Sequence, residues 1–224
     1  MDPILLTTKV RIPTQPPDLM QRPRLIEAVQ SGARHYKLIL LSAPAGYGKT
    51  TLLAQWAHAS RLPVAWLSLG EDDNEIERFV RYLLAAWGVV QPDVLESPLG
   101  ILLGAKAPDS EAVLSAFVNQ ANELREHTVF VLDDYHLIED EAIHRALTFL
   151  LDHLPPKCHF ALAGRHEPPL PLARYRARRK LLEFRAEDLS FRPQETRDFL
   201  QQRIESVALD PEEIEALQRQ LERR

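Results

Sequence analysis

The chain alternates short, uninterrupted apolar runs with stretches of helical period, and this alternation restricts the fold more than any other feature. Strands are expected over Lys37–Ser42, Leu62–Leu69, Val129–Leu132, Cys158–Ala163 and Leu181–Phe184. Helices are expected between them, over Gln21–Val29, Thr50–Ala59, Glu75–Trp87, Ser110–Glu126 and Glu141–His153, where apolar residues recur three and four apart, as Ile76, Phe79, Val80 and Leu83 do. A strand that is apolar at every position must be covered on both faces, and the intervening helices supply the cover. The expected fold is therefore α/β, a three-layer sandwich around a mostly parallel five-stranded sheet. Such a sheet takes ligands beyond the carboxyl ends of its strands.

Both ends of the chain depart from the alternation. Pro3, Pro13, Pro16 and Pro17 keep the start out of regular helix, so an extended arm over residues 1–20 is expected ahead of a domain at 21–190. Pro193 then opens a polar helix carrying Phe199 and Ile204, and Asp210-Pro211 opens a second with Ile214, Leu217 and Leu221. These read as the start of a small helical lid over 191–224, broken off inside a helical pattern, as in a fragment or a shortened copy.

Length and composition exclude several classes. A chain of 224 residues buries enough surface to need neither disulfide nor structural metal. The single Cys158 lies in an apolar run and reads as an inert buried thiol, which favours a reducing compartment. The histidines show no metal-binding grouping. No apolar stretch reaches the roughly 18 residues of a membrane span, and the first residues lack a basic secretory start, so a cytoplasmic chain with no membrane partner is expected. The formal net charge of −5 argues against wholesale coating of nucleic acid. The one basic cluster, Arg174–Lys180, is better read as a solvated helix face or a phosphate-sensing element than as a nucleic-acid patch.

The chemistry concentrates where the first strand gives way to a helix. Leu38-Ile39-Leu40-Leu41 runs into Ser42-Ala43-Pro44-Ala45-Gly46-Tyr47-Gly48-Lys49-Thr50-Thr51, which differs from the phosphate-loop pattern only in having Ala43 at the first glycine. Gly46 and Gly48 let successive amides turn toward one centre, and the helix beginning at Lys49 adds its positive end, so a polyphosphate is the expected occupant. Lys49 would neutralise the β- and γ-phosphates and Thr50 would help hold Mg²⁺. Ala43 is harmless if its φ is negative and forces a rearranged loop if it is not.

A second apolar strand, Val129-Phe130-Val131-Leu132, ends in Asp133-Asp134. Adjacent residues at a strand end point in different directions, so Asp133 can serve Mg²⁺ while Asp134 polarises an attacking water. Gly164-Arg165 follows the Cys158–Ala163 strand, which brings Arg165 to the same sheet edge, either to sense the γ-phosphate or to pair with a surface acid. Arg22 and Arg24 flank the base or ribose on one reading and simply begin a solvated helix on the other. Two rival functions remain open on the residues alone: a phosphotransferase acting on a small acceptor, and a binding module that never turns nucleotide over.

The order of motifs resembles a known family. Leu5-Leu6-Thr7-Thr8-Lys9 with Pro13, Arg22-Pro23-Arg24-Leu25, the loop Ser42–Thr51 and Gln55-Trp56 look like the ATPase module of MalT-like, LuxR-tailed ATP-binding transcriptional regulators, of the STAND class of P-loop NTPases. Further matches are Ala65–Leu69 with Asp73-Asn74 and Phe79, then Leu132–His136, and Arg176 through Leu181-Leu182-Glu183 to Asp188–Phe191. Gly70 departs from the family, which usually has an acid there. The resemblance implies a switch in which ADP holds a monomeric resting form, ATP with an inducer permits self-association, and slow hydrolysis resets the state. It implies ATP or ADP with Mg²⁺ at Lys49, Thr50, Asp133, Asp134 and Arg165, accepts Ala43 in the loop, and places DNA contact in a C-terminal domain that this chain lacks.

Overall fold

A computed structural model of the protein describes residues 5–16, 19–103 and 110–206. Its centre is a sheet of β1 (Leu38–Ser42), β2 (Val64–Ser68), β3 (Thr128–Asp133), β4 (Cys158–Gly164) and β5 (Leu181–Arg185), in the order β2-β3-β4-β1-β5. All neighbouring pairs are parallel, and Leu40 of β1 lies opposite Leu162 of β4 on one side and Glu183 of β5 on the other. β3 and β4 are buried along their whole length, as expected of strands with no polar face.

Side-chain alternation sorts each strand between two cores. Leu38, Leu40, Phe130, Leu132, Phe160 and Leu162 point to one face. There they meet α3 (Ile76–Val90), α5 (Ser110–Asn122) and α6 (Glu141–His153). Trp87, Phe117, Phe130 and Phe160 stack through this layer, with successive ring centroids 4.7 to 5.4 Å apart, a spacing at which aromatic pairs add to plain area burial. The alternate residues Ile39, Leu41, Val129, Val131, Ala161 and Ala163 point to the other face, against α1 (Pro23–His35) and α2 (Lys49–Ala59). Trp56 of α2 is fully buried there and donates its indole N–H to Gln30 of α1 at 2.8 Å.

Several short elements break the expected pattern. The arm is not extended throughout: Thr7–Val10 forms a 3₁₀ turn that buries Val10. Pro98, read in sequence as a breaker, opens α4 (Pro98–Leu103) instead, since its missing N–H costs nothing in a first turn. Two more helices, α7 (Leu172–Ala177) and α8 (Ala186–Leu189), precede and follow β5, and both are too short to carry a readable period. The chain divides into two compact units, Met1–Leu189 and Ser190–Arg224. In the second, α9 (Pro193–Ser206) follows Phe191, whose ring stacks on Phe199 with centroids 5.7 Å apart. The helix expected from Asp210 lies outside the described residues.

Candidate functional site

The loop between β1 and α2 is built around two left-handed glycines, Gly46 at φ 86° and Gly48 at φ 73°. A Cβ at either position would meet nothing within 4 Å, so backbone conformation rather than space demands glycine there. Ala43 has no such demand: it is buried, its φ is not positive, and its N–H donates to the Gly164 carbonyl of β4 at 3.3 Å. The missing first glycine therefore leaves the loop undistorted. No side chain caps the start of α2, where Gly48 is the N-cap, so its first amides keep their free donors.

Lys49 bends back under the loop and is only 8% exposed. Its ammonium donates to the carbonyls of Ala43 at 2.7 Å and Pro44 at 2.9 Å. An ammonium has three donors, so one remains after these two bonds. Burial lowers the Lys49 pKa, opposed by the charges of Asp134 and Asp133. Pro44, Ala45 and Tyr47 line the exposed side of the loop, and the Thr51 carbonyl accepts from Gln15 of the arm at 2.8 Å.

The two acids have opposite environments. Asp133 closes β3 at 3% exposure and accepts the Thr50 hydroxyl at 3.0 Å. Burial, then the Asp134 charge, pushes its pKa up to about 6, against the Thr50 hydrogen bond. Asp134 takes the left-handed conformation, φ 56° and ψ 34°, and caps the turn Tyr135–Leu137. That reversal explains why neighbours in sequence diverge in space: the Asp134 side chain is 49% exposed. The Thr50 hydroxyl and the Asp133 carboxylate form a hard oxygen pair beside an uncapped helix start, a donor set that fits Mg²⁺. The left-handed glycines and the Lys49 ammonium fit a polyphosphate.

Arg165 is exposed directly after β4, and its charge reaches the same centre, lowering the pKa of both Lys49 and His136. His136 was not singled out by sequence reasoning beyond its place in the Leu132–His136 run. Its ring is buried with neither nitrogen hydrogen-bonded among the described residues, and Nδ1 lies 3.8 Å from Asp134 Oδ1. Burial keeps it below the usual imidazole range, with Asp134 opposing. The structure thus brings Lys49, Thr50, Asp133, Asp134, Arg165 and His136 together. Arg22 is buried and donates to the Leu189 carbonyl at 2.6 Å, while Arg24 donates to that of Asp188 at 3.2 Å.

Two residues behind the site also escaped sequence reasoning as structural ties. Asp73, fully buried, pairs with Lys9 of the arm at 2.5 Å and Arg78 at 3.1 Å, and accepts from the Gly70 amide. Asn74 donates to the Leu137 carbonyl and accepts from the amides of Glu139 and Asp140, which fastens the loop following Asp134. In the basic cluster, Arg174 pairs with Asp152 and Arg176 with Glu183 and Glu167, so two of its five cations are spent on surface ion pairs.

A phosphate-loop strand and an acid-tipped strand separated by one further strand define a P-loop ATPase of the α/β class. The chain belongs to the AAA ATPase domain family, which matches residues 21–163. It is 36% identical over 207 residues to the HTH-type transcriptional regulator MalT of Yersinia enterocolitica, covering 92% of this chain and 23% of that protein. MalT of Klebsiella pneumoniae is 34% identical over 203 residues, covering 91% and 22%. The chain thus spans less than a quarter of these relatives. Among solved structures, a Walker-type ATPase of Pyrococcus abyssi superposes with TM-score 0.60 at 15% identity, over 92% of this chain and 65% of that one. Cdc6p of Pyrobaculum aerophilum gives 0.54 at 14%, over 88% and 52%. Both share the fold. No helix among the described residues is long and apolar enough to cross a membrane.

Proposed function

We propose that the chain is the ATP- and ADP-binding switch domain of a MalT-like cytoplasmic regulator, hydrolysing ATP slowly. The observation that carries this reading is the Thr50–Asp133 hydrogen bond beneath the loop closed by Lys49, with a second carboxylate, Asp134, turned outward beside it.

In this reading the amides around Gly46 and Gly48 and the start of α2 bind the phosphate oxygens, and Lys49 turns its remaining N–H toward the terminal phosphates. Thr50 and Asp133 would hold Mg²⁺, which when bound supplies charge neutralisation to the phosphate oxygens. At neutral pH Asp133, with its pKa about 6, is ionised and ready for a cation. Asp134 accepts the proton of the attacking water. Arg165 faces the terminal phosphate, and His136 supports Asp134 once the 3.8 Å gap closes. A half-exposed carboxylate with no fixed partner is poorly oriented, which agrees with slow turnover. Arg22 is assigned to the nucleoside end. Self-association in the ATP state and DNA contact belong to a longer protein, the latter through a segment outside this chain, and α9 is assigned to the start of a helical lid.

The test is a pair of variants. Lys49→Ala should lose ATP and ADP affinity, whereas Asp134→Asn should bind ATP as the parent does and release no phosphate. Unchanged affinity in Lys49→Ala would overturn the site. Phosphate appearing on an added acceptor would favour a phosphotransferase, and no release by the parent over hours would favour a binding module.

A further inference from the structure

The opposite edge of the sheet, where the strands begin, carries two uncompensated patches of opposite sign. At the β1–β5 end stand Arg34, Arg178, Arg179 and Lys180, none in an ion pair among the described residues, while Lys157 reaches to the cleft wall and donates to the carbonyls of Leu124 at 3.3 Å and Arg125 at 2.8 Å. Their field is felt locally. The pKa of His127 is lowered by burial and then by Arg34, Lys157 and His35, and that of Lys37 by burial and Lys180. At the β2–β3 end a cleft of about 660 Å³ is lined by Asp93, Glu96, Glu123 and Glu126, with Arg125 the one cation on its described wall. These four acids also lack ion pairs among the described residues, and all four are exposed. Val89 and Leu95, exposed apolar residues, adjoin the cleft.

With strands about 4.8 Å apart, the β1–β5 cations and the β2–β3 acids are centred roughly 14 Å apart, beyond the ~8 Å Debye length of physiological salt. Lys157 alone reaches toward the acids, so most of both patches stays uncompensated within one chain. A duplex laid along this edge would meet the acids, and a uniformly acidic partner would do the same. A second copy turned about a two-fold axis meets both needs at once, because its cations fall opposite the first copy's acids and the reverse.

We propose that the amino edge of the sheet is a self-docking surface, on which two copies of this chain pair edge to edge with the acidic cleft of each facing the cationic end of the other. The contact uses none of the phosphate-loop residues. It is therefore nucleotide-independent and distinct from any association tied to the ATP state. Exposed ion pairs are individually weak, so the pairing belongs at protein concentrations on the order of 100 μM and at low salt.

Sedimentation equilibrium of the 224-residue chain tests this. At low salt the average mass should rise with concentration from 25.6 kDa toward twice that value and fall back in about 0.5 M salt, where screening is strong. Arg178→Glu/Arg179→Glu cancels the charge of the cationic end, where Arg34 and Lys180 remain against the two added carboxylates, and Glu123→Lys/Glu126→Lys cancels that of the acidic cleft. Each variant alone should stay monomeric, and a one-to-one mixture should dimerise again. Lys49→Ala should pair as the parent does, which separates this contact from the nucleotide reading. A parent that stays monomeric at low salt overturns the proposal, as does a dimer indifferent to either reversal. So does a mixture that fails to associate, or binding of duplex DNA by the cationic end without self-association.

Discussion

The two edges of one sheet treat charge in opposite ways. At the carboxyl edge the chain buries Lys49 and Asp133 and satisfies them with loop carbonyls and a threonine hydroxyl. At the amino edge most charges stay in water, and one buried titratable group, beside the Cys158 thiol, is His159, 2% exposed. Its Nδ1 donates to the Tyr36 carbonyl at 2.7 Å, so Nε2 is left to accept from His127 at 2.8 Å, and the ring is neutral. The difference follows from the geometry of parallel strands. Helices that cover such a sheet begin at its carboxyl edge, so free amides and positive helix ends gather there and can hold anions. The amino edge receives helix ends of the other sign and only short returns into the strands.

The largest expected effect on this contrast comes from Lys49→Ala. Removing a buried, hydrogen-bonded cation from an anion site costs about 3 kcal/mol, roughly a 100-fold loss of ATP affinity. Titration calorimetry reads it, and no comparable loss is expected from Arg178→Glu at the far edge.

Acid provides the next test, because the edges answer it with opposite signs. Asp133 titrates at about 6 in the folded chain against 3.8 unfolded, so the native state holds the extra proton between those values. Its contribution is fully favourable below pH 3.8 and is lost as pH rises through 6. His159 titrates at about 4 against 6.5, so its contribution is present above pH 6.5 and lost as pH falls through 4. Each is worth about 3 kcal/mol at most, and over one window they largely cancel. Asp133→Asn should expose the acid-labile His159 slope and be more stable than the parent at pH 7 without nucleotide. His159→Asn, which keeps a donor for Tyr36, should expose the opposite slope. Urea unfolding at pH 4, 5, 6 and 7 measures both, and parallel pH curves for the parent and both variants would refute the assignment.

What the sequence revealed of this arrangement follows the range of the forces involved. The strands were legible because a buried parallel strand is apolar at every position, and the loop because only glycine adopts the backbone it needs at Gly46 and Gly48. That Asp133 and Asp134 turn to different surroundings was legible from their place at a strand end. The position of β4 between β1 and β3 was not, since strand order leaves no trace in local period. The Asp73–Lys9 and Asn74–Leu137 ties join positions about sixty residues apart, and His136 becomes notable only once its ring is seen buried without a partner. α4 was hidden by Pro98, which serves as a helix start, whereas α7 overlaps the basic run Arg174–Lys180 that already read as a solvated helix face.

Gly48 offers a sharper cut. An L-residue at φ 73° is strained, so Gly48→Ala should destabilise the chain by roughly 1–2 kcal/mol although nothing lies within 4 Å of the added carbon. Thermal unfolding should show the loss, with a further drop in nucleotide affinity because the loop amides are turned aside.

The smallest effect separates two helices that begin at the same edge. α2 starts without a side-chain cap, whereas Asp140 caps α6 by accepting from the Ala142 amide at 2.8 Å. One helix leaves its first amides for a ligand, and the other fills them with its own carboxylate. Asp140→Ala should therefore cost about 1 kcal/mol with or without nucleotide, since that cap serves only the fold. The start of α2 should behave differently: its amides are stabilised only when an anion is bound, so saturating ATP should slow hydrogen exchange there and leave the first turn of α6 unchanged. Equal protection of both turns by nucleotide would mean that the phosphates do not sit on α2, and the contrast between a capped and an open helix start would lose its functional meaning.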